Sequence, residues 1–215
     1  GILFMNSRTL VIFDFDRTLF DLTSFLRDIQ THVWQLPALT DSELAVRNPT
    51  LEVFLDIDSM TNDHVSKLWL APKLMPKQNY LYDDAIQLLK ELPSDYEPVI
   101  VTHGVSEHKQ YFKRGFAGEI HDIPFYVTDD NKGYILRDSI KTQSSGIHVD
   151  LPHVQGNYAR VILIDDNPVS FEPLTDSPID QYHVARPNEP HANKAIPAGV
   201  HQVDGLTAKM LHLST

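Results

Sequence analysis

The stretch Val11–Phe20, VIFDFDRTLF, places two carboxylates one residue apart at the end of an apolar run. Residues 9–13 are rich in β-branched side chains and predict a buried strand. Alternate residues of an extended strand project to the same side. Asp14 and Asp16 would therefore share one side, and Phe15 would pack on the other. The pattern indicates a charged site at the end of a buried strand.

The composition is that of a globular protein with no general affinity for polyanions. The chain has 215 residues, enough for one domain with a modest insertion, and 42% of them are hydrophobic. A net charge of −11 argues against non-specific binding to nucleic acid or anionic membrane. The chain has no cysteine and no apolar run long enough for a transmembrane helix, and we expect no secretory signal. We expect a cytoplasmic protein and leave its oligomeric state open.

Short apolar runs alternate with amphipathic segments along most of the chain. The predicted strands cover residues 9–13, 98–102, 124–128, 160–164 and 181–185, and a turn at 130–133 predicts a hairpin strand at 134–136. The helices predicted in the same part cover residues 80–92, 106–114 and 204–213, and residues 186–203 are predicted as a loop. This alternation predicts an α/β fold with a mostly parallel sheet.

Residues 21–78 have a different pattern, which predicts a small, mainly helical insertion. Apolar residues recur at helical spacing over residues 23–36, and prolines separate further helices predicted between residues 41 and 70. A second Asp-x-Asp pair, Asp56 and Asp58, falls in this region. We interpret that pair as a solvated helix end.

Polar residues follow three of the predicted strands. Asp14 and Asp16 follow the first, Thr102-His103-Gly104 the second, and Asp165-Asp166-Asn167 a later one. Ligands of open parallel sheets bind at the carboxyl ends of the strands. We therefore expect these groups to converge on one site.

The motifs DFDRTL (14–19), VIVTHG (99–104) and ILIDDNP (162–168), with a lysine between the last two, resemble the four motifs of the haloacid dehalogenase-like (HAD) superfamily. Most of its members are magnesium-dependent phosphohydrolases. The resemblance covers about residues 9–20 and 80–185. It implies a Rossmann-like core of residues 1–20 and 79–215, with the helical segment 21–78 in the position of the superfamily's first cap domain.

The resemblance also implies roles for the residues of the first two motifs. Asp14 would be the nucleophile that forms an aspartyl-phosphate, and Asp16 the general acid and base. Thr102, with backbone N–H groups around His103 and Gly104, would hold the phosphoryl oxygens. The dehalogenases and phosphonatases of the superfamily lack an acid at the position of Asp16. Its presence therefore favours phosphate ester chemistry.

The acidic last motif implies a Mg²⁺ site. By resemblance, Asp14 and Asp165 would coordinate the ion directly, together with the backbone carbonyl of Asp16. Asp166 would act through water or support the other ligands. The ion would balance the crowded carboxylates and the incoming phosphate.

The lysine of the third motif has two candidates. Lys141 lies 24 residues before Asp165, which fits the usual spacing in the superfamily, and we favour it. Lys132 lies 33 residues before Asp165, inside the predicted turn, and is the alternative. The chosen lysine would neutralise Asp14 and the phosphoryl group.

These observations predict a Mg²⁺-dependent phosphohydrolase whose partner is a small phosphorylated metabolite. A non-catalytic binding protein on the same scaffold and a HAD protein phosphatase are the alternatives. A signalling receiver domain fits less well, because its acidic pair comes first in the chain. The eleven histidines show no compact zinc-ligand spacing.

Overall fold

A six-stranded sheet is the centre of the structure, a computed structural model that describes residues 7–35, 37, 40, 66–104 and 107–212. The strands of the chain are β1 (Thr9–Phe13), β2 (Tyr96–His103), β3 (Phe125–Thr128), β4 (Ile140–Gln143), β5 (Gly146–Leu151), β6 (Val154–Tyr158), β7 (Arg160–Asp165), β8 (Ile179–Val184) and β9 (His201–Val203). The central sheet has the order β3-β2-β1-β7-β8-β9, and every neighbouring pair in it is parallel. Strands β4, β5 and β6 form a separate antiparallel sheet.

Strand β1 is apolar throughout because both faces of the central sheet are covered. Leu10 and Ile12 belong to one hydrophobic cluster, and Val11 and Phe13 to the cluster on the opposite face. All four side chains are fully buried. A parallel strand buried on both faces reads as a continuous hydrophobic run, as residues 9–13 do.

The helices lie on the two faces of this sheet. They are α1 (Leu22–Asp28), which continues as a π-helical turn (Ile29–Val33), α2 (Ala71–Leu74), α3 (Asp83–Glu91), α4 (Glu107–Arg114) and α5 (Lys132–Ser139). Short 3₁₀ segments span Leu68–Leu70, Gly118–Ile120, Pro168–Ser170, Glu172–Leu174 and Ala208–His212. No helix among the described residues is long and apolar enough to cross a membrane.

The two hydrophobic clusters are built differently. On one face, α5 and the antiparallel sheet contribute Leu136, Val149 and Tyr158 to the cluster that holds Leu10. On the other face the cluster is aromatic. The ring of Phe25 in α1 lies 5.1 Å from that of Phe20 and 5.3 Å from that of Tyr80 between ring centroids.

The α/β fold and the mostly parallel sheet are confirmed, with all five predicted core strands present. The hairpin predicted at 130–136 is wrong, because α5 begins there. The side chain of Asn131 accepts a hydrogen bond from the backbone N–H of Gly133 and caps the helix. Asn and Gly signal a turn and a helix start equally well. The antiparallel sheet was not predicted, and β9 falls within the predicted loop 186–203.

The described ends of the helical segment 21–78 pack directly on the sheet. Residues of α1 and α2 share the aromatic cluster with Phe20 and Tyr80. The backbone N–H of Asp21 also donates to the carbonyl of Tyr80 at 2.7 Å. Residues 41–65, which include the pair Asp56 and Asp58, lie outside the described residues.

Candidate functional site

Asp14 stands where β1 ends, and the sheet holds its backbone in place. Its N–H donates to the carbonyl of Ile164 in β7 at 2.9 Å. The residue is 6% exposed, and its carboxylate accepts two hydrogen bonds, from Thr18 Oγ1 at 3.0 Å and from Lys132 Nζ at 2.6 Å. The nucleophile candidate is therefore buried, oriented and paired with a cation.

Two further carboxylates from the end of β7 join Asp14. Oxygen atoms of Asp14, Asp165 and Asp166 all lie within 4.8 Å of one another. Burial and the charge of Asp165 raise the pKa of Asp14 above its usual value, although Lys132 opposes them. Burial, followed by the charges of Asp14 and Asp165, raises the pKa of Asp166 well above its usual value. The cluster carries more negative charge than Lys132 alone can balance.

This donor set fits a divalent cation. Asp165 Oδ1 accepts from the N–H of Asn167 at 2.9 Å, whereas its buried Oδ2 has no well-aligned hydrogen bond among the described residues. That oxygen does lie 2.8 Å from Lys132 Nζ. Three converging carboxylates supply the hard oxygen ligands that Mg²⁺ prefers. Asp14, Asp165 and Asp166 are thus the residues that could hold the ion.

Lys132, and not Lys141, is the lysine in the site. Lys132 follows the cap residue of α5, and its ammonium contacts both Asp14 and Asp165. Burial disfavours the charged ammonium, but the two carboxylates outweigh it and raise the pKa of Lys132. The preference for Lys141 was wrong, because that exposed residue lies on β4, opposite His148. The antiparallel sheet lengthens the chain between the lysine and β7, so the spacing from Lys132 to Asp165 is longer than the spacing expected from the superfamily.

Gly133 explains how α5 comes close enough for Lys132 to reach the carboxylates. A Cβ atom on Gly133 would lie 2.3 Å from the carbonyl oxygen of Ser170, in the 3₁₀ segment after β7. No side chain is tolerated at that separation. The close approach of the two backbones places the start of α5 over the end of β7.

Asp16 borders the same cavity but is held by a different cation. Both of its carboxylate oxygens accept from Lys113 Nζ in α4, at 2.6 and 2.8 Å. Lys113 is 2% exposed. Phe15, between the two acids, is fully buried and stacks on Phe20 as the alternation predicts. The side chain of Asp16 is not among the three clustered carboxylates.

The residues of the second motif reach the site unequally. Thr102, at the end of β2, is 1% exposed and borders the cavity. His103 also borders it, is exposed, and has its Nε2 3.3 Å from the carbonyl of Asp129. The N–H of Gly104 donates to the carbonyl of Thr128 at 2.9 Å. The structure therefore brings Thr102 and His103 to the cavity and engages the Gly104 N–H elsewhere.

The cavity has a volume of about 390 Å³ and includes residues that the sequence did not single out. Arg17, Asn131 and His191 border it, together with the apolar Leu22. His191 comes from the segment predicted as a surface loop. Lys113 was missed because nothing in the pattern of α4 distinguishes it from the neighbouring Arg114. The positive φ of Arg17, 62°, is equally invisible in a sequence.

No protein family and no curated protein matches the chain at the sequence level. Several solved structures are similar to the chain in fold. A haloacid dehalogenase-like hydrolase of Burkholderia xenovorans has a TM-score of 0.62 at 14% identity, with 97% of each chain covered. The HAD hydrolase YfnB of Bacillus subtilis, bound to magnesium, has a TM-score of 0.56 at 17% identity, covering 96% of this chain and 97% of that one. A protein of Lactobacillus plantarum described as a phosphoglycolate phosphatase has a TM-score of 0.52 at 12% identity, covering 93% and 96%.

The chain therefore has the fold of HAD-like hydrolases, over almost its whole length. Proteins with this fold include a dehalogenase crystallised as an intermediate complex as well as the protein described as a phosphatase. The fold alone leaves the reaction to be argued from the side chains.

Proposed function

We propose that the protein is a Mg²⁺-dependent phosphohydrolase that acts on a small phosphorylated metabolite. The observation that carries the proposal is the pair of acids at the end of β1. Asp14 lies in the carboxylate cluster and pairs with Lys132. Asp16 borders the same cavity and pairs with a different cation, Lys113. In a dehalogenation through Asp14, the carboxylate of Asp16 would have no role in the reaction. Phosphate ester hydrolysis uses both.

The reaction follows from these positions. A carboxylate oxygen of Asp14 attacks phosphorus, the bond from phosphorus to the ester oxygen breaks, and an aspartyl-phosphate forms. Asp16, which must be protonated at this step, gives its proton to the departing oxygen. It then takes a proton from the water that attacks the aspartyl-phosphate, so phosphate leaves and Asp14 is regenerated. Lys132 and the hydroxyl of Thr102 would hold the phosphoryl oxygens.

Asp14, Asp165 and Asp166 would hold Mg²⁺, with Asp16 contributing its backbone carbonyl. When bound, the ion would offset the negative charge of the carboxylates and of the phosphate. The convergence of oxygen atoms of the three carboxylates within 4.8 Å of one another supports this assignment. The raised pKa of Asp166 supports it as well, because the cluster is short of positive charge.

The size of the cavity supports a small substrate. A volume of about 390 Å³ is near the lower end of the range for small-molecule sites. We further propose that residues 21–78 act as a cap on a core of residues 1–20 and 79–215. Leu22, at the start of α1, already borders the cavity. We also propose that the two joins between cap and core, near residues 20–23 and 72–77, are flexible.

Hydrolysis of p-nitrophenyl phosphate tests the proposal. We expect turnover that requires Mg²⁺ and stops on addition of EDTA, and we expect Asp14→Asn to abolish it. Asp138→Asn, which changes an exposed acid at the end of α5, is the matched control and should retain activity. A non-catalytic binding protein would show no turnover. Release of halide from a 2-haloacid without phosphatase activity would assign the protein to the dehalogenases instead.

A further inference from the structure

The loop that follows β8 is fixed against the site by a buried arginine. Arg186 is 8% exposed and donates two hydrogen bonds to Asp84, at 2.7 and 3.0 Å. It also donates to the carbonyl of Thr18 at 2.8 Å, and its guanidinium lies 3.6 Å from the ring centre of Tyr82. Thr18 is the residue whose hydroxyl binds Asp14. The loop is therefore tied to the first motif at its beginning.

Glu189 ties the middle of the same loop to two more parts of the site. Its Oε2 accepts from Arg17 Nε at 3.1 Å and from the hydroxyl of Thr23, in the first turn of α1, at 2.8 Å. Arg17 adopts a left-handed φ of 62°, a conformation that is unfavourable for an arginine. Such strain persists where the surroundings impose it. Arg17, Thr23 and Glu189 thus form a hydrogen-bonded wall beside the site.

This wall carries His191 to the cavity. His191 borders the cavity with Asp14 and Asp166, and it is 7% exposed. Its Nδ1 is buried and has no hydrogen-bond partner among the described residues. Burial, followed by the charges of Lys194 and Arg17, lowers the pKa of His191 to about 4. The imidazole is therefore neutral at physiological pH and offers one donor and one acceptor.

The cations around the cavity are committed to carboxylates. Lys132 pairs with Asp14, Lys113 pairs with Asp16, and Arg17 contacts Glu189. Other residues that border the cavity are neutral. His191 is polar and Leu22 is apolar, whereas the amide of Asn131 is already bound to the N–H of Gly133 and the carbonyl of Val169. In this described wall Lys132 and Arg17 each already contact a carboxylate, so a second carboxylate or phosphate on the substrate would have to compete with it.

On the basis of the proposed phosphatase function, we infer that His191 is a specificity-determining residue that hydrogen-bonds the organic part of the substrate. That organic part is uncharged and carries hydroxyl or carbonyl groups, as in a polyol or sugar phosphate. Glu189 is a positioning residue, because it holds the loop through Arg17 and Thr23 without facing the reacting atoms. Most specificity would then come from a core loop that lies beside the phosphate.

The test compares three substrates in the wild type and in His191→Phe. Glycerol 1-phosphate presents hydroxyls, phosphoglycolate presents a carboxylate, and phenyl phosphate presents neither. We expect the wild type to prefer glycerol 1-phosphate to phosphoglycolate in kcat/KM. We expect His191→Phe to lower the ratio of kcat/KM for glycerol 1-phosphate to that for phenyl phosphate about tenfold, mainly through KM. His191→Gln, which keeps a neutral donor and acceptor, should restore part of the ratio.

Melting temperatures of the variants show whether a substitution impairs folding. His153→Phe, which makes the same substitution at an exposed position, is the control for a change in selectivity. Glu189→Ala should lower the same ratio as His191→Phe. Three outcomes would overturn this inference and leave the phosphatase assignment standing. They are an unchanged ratio in His191→Phe, a preference of the wild type for phosphoglycolate, and a wild type that is active on phenyl phosphate but not on glycerol 1-phosphate. A wild type inactive on all three would overturn both.

Discussion

The ammonium nitrogen of Lys113 lies 2.6 and 2.8 Å from the two carboxylate oxygens of Asp16. A buried cation that contacts both oxygens fixes the rotation of the carboxyl group as well as its position. Asp16 therefore faces the cavity from one defined direction. The proposed proton transfers depend on that direction, because an acid that is displaced from the reacting oxygen contributes much less to the rate.

Replacing Lys113 by Met removes this contact while keeping the length of the side chain. We expect kcat for p-nitrophenyl phosphate to fall by roughly 10²-fold with little change in KM, because Asp16 would lose its orientation. Steady-state kinetics measure the effect. Lys90→Met, which changes an exposed lysine at the end of α3, is the control. Equal kcat values for the two variants would contradict the role of Lys113.

Lys132 and Lys141 should differ sharply in their effects. Lys132→Met leaves the carboxylates of Asp14 and Asp165 buried without their cation, so we expect a loss of about 3–5 kcal/mol in the free energy of unfolding without metal. Added Mg²⁺ should recover part of it. Lys141→Met should change stability by less than about 0.5 kcal/mol, since the residue is exposed on β4. Urea unfolding with EDTA or Mg²⁺ measures both, and a larger effect at Lys141 would restore it as the motif lysine.

Asp166 should make the metal-free protein less stable as the pH rises. Its pKa is raised in the folded state, so between the unfolded pKa and the folded pKa the folded protein binds more protons than the unfolded chain. Stability then falls with increasing pH by at most about 1.4 kcal/mol per pH unit for one proton. Asp166→Asn mimics the neutral acid and should become more stable relative to the wild type as the pH rises above the unfolded pKa of about 4.

Unfolding in EDTA across that range of pH measures the difference between the two proteins. Mg²⁺ should reverse the order at neutral pH, because the ion binds the ionised carboxylate of the wild type. Asp150→Asn, at an exposed position on β5, controls for the loss of one charge. A stability difference that does not vary with pH would show that Asp166 is already ionised in the metal-free protein.

Gly133 should matter for the site more than for the fold as a whole. Gly133→Ala forces the start of α5 away from the carbonyl of Ser170, and we expect a loss of about 1–3 kcal/mol in stability. The displacement also moves Lys132, so activity should fall even where the variant is fully folded. Gly118→Ala, whose added Cβ would meet no atom within 4 Å, is the matched control and should be nearly neutral. Thermal melts and kinetics on the same samples separate the two effects.

The parts of the site that could be predicted from sequence are those fixed by the ends of strands. Asp14, Thr102 and Asp165 each follow an apolar run, and parallel strands bring such ends to one edge. The sequence could not show that Lys132, and not Lys141, lies in the site. The position of Lys132 depends on a helix cap and on an antiparallel sheet that the sequence pattern does not predict.

The residues that were missed act over long distances in the chain. Lys113 contacts Asp16 across 97 residues, and Glu189 contacts Arg17 across 172. An ion pair of this kind leaves no local periodicity and no spacing rule. His191 sits in a segment whose prolines and asparagines are typical of a surface loop, and only the three-dimensional contacts of Arg186 and Glu189 show that it is anchored.

The pairing of β1 with β7 has a consequence for how the protein is made. Asp14 and Asp165 are separated by 151 positions in the chain, yet they stand at the ends of adjacent strands. During synthesis the first acid therefore leaves the ribosome long before its neighbour and Lys132 exist. The anionic cluster can form only after β7 has been added, in a slow, non-local step. Until then the acids remain hydrated, so a nascent or truncated chain has the proposed nucleophile but neither the metal site nor the activity proposed for the whole protein.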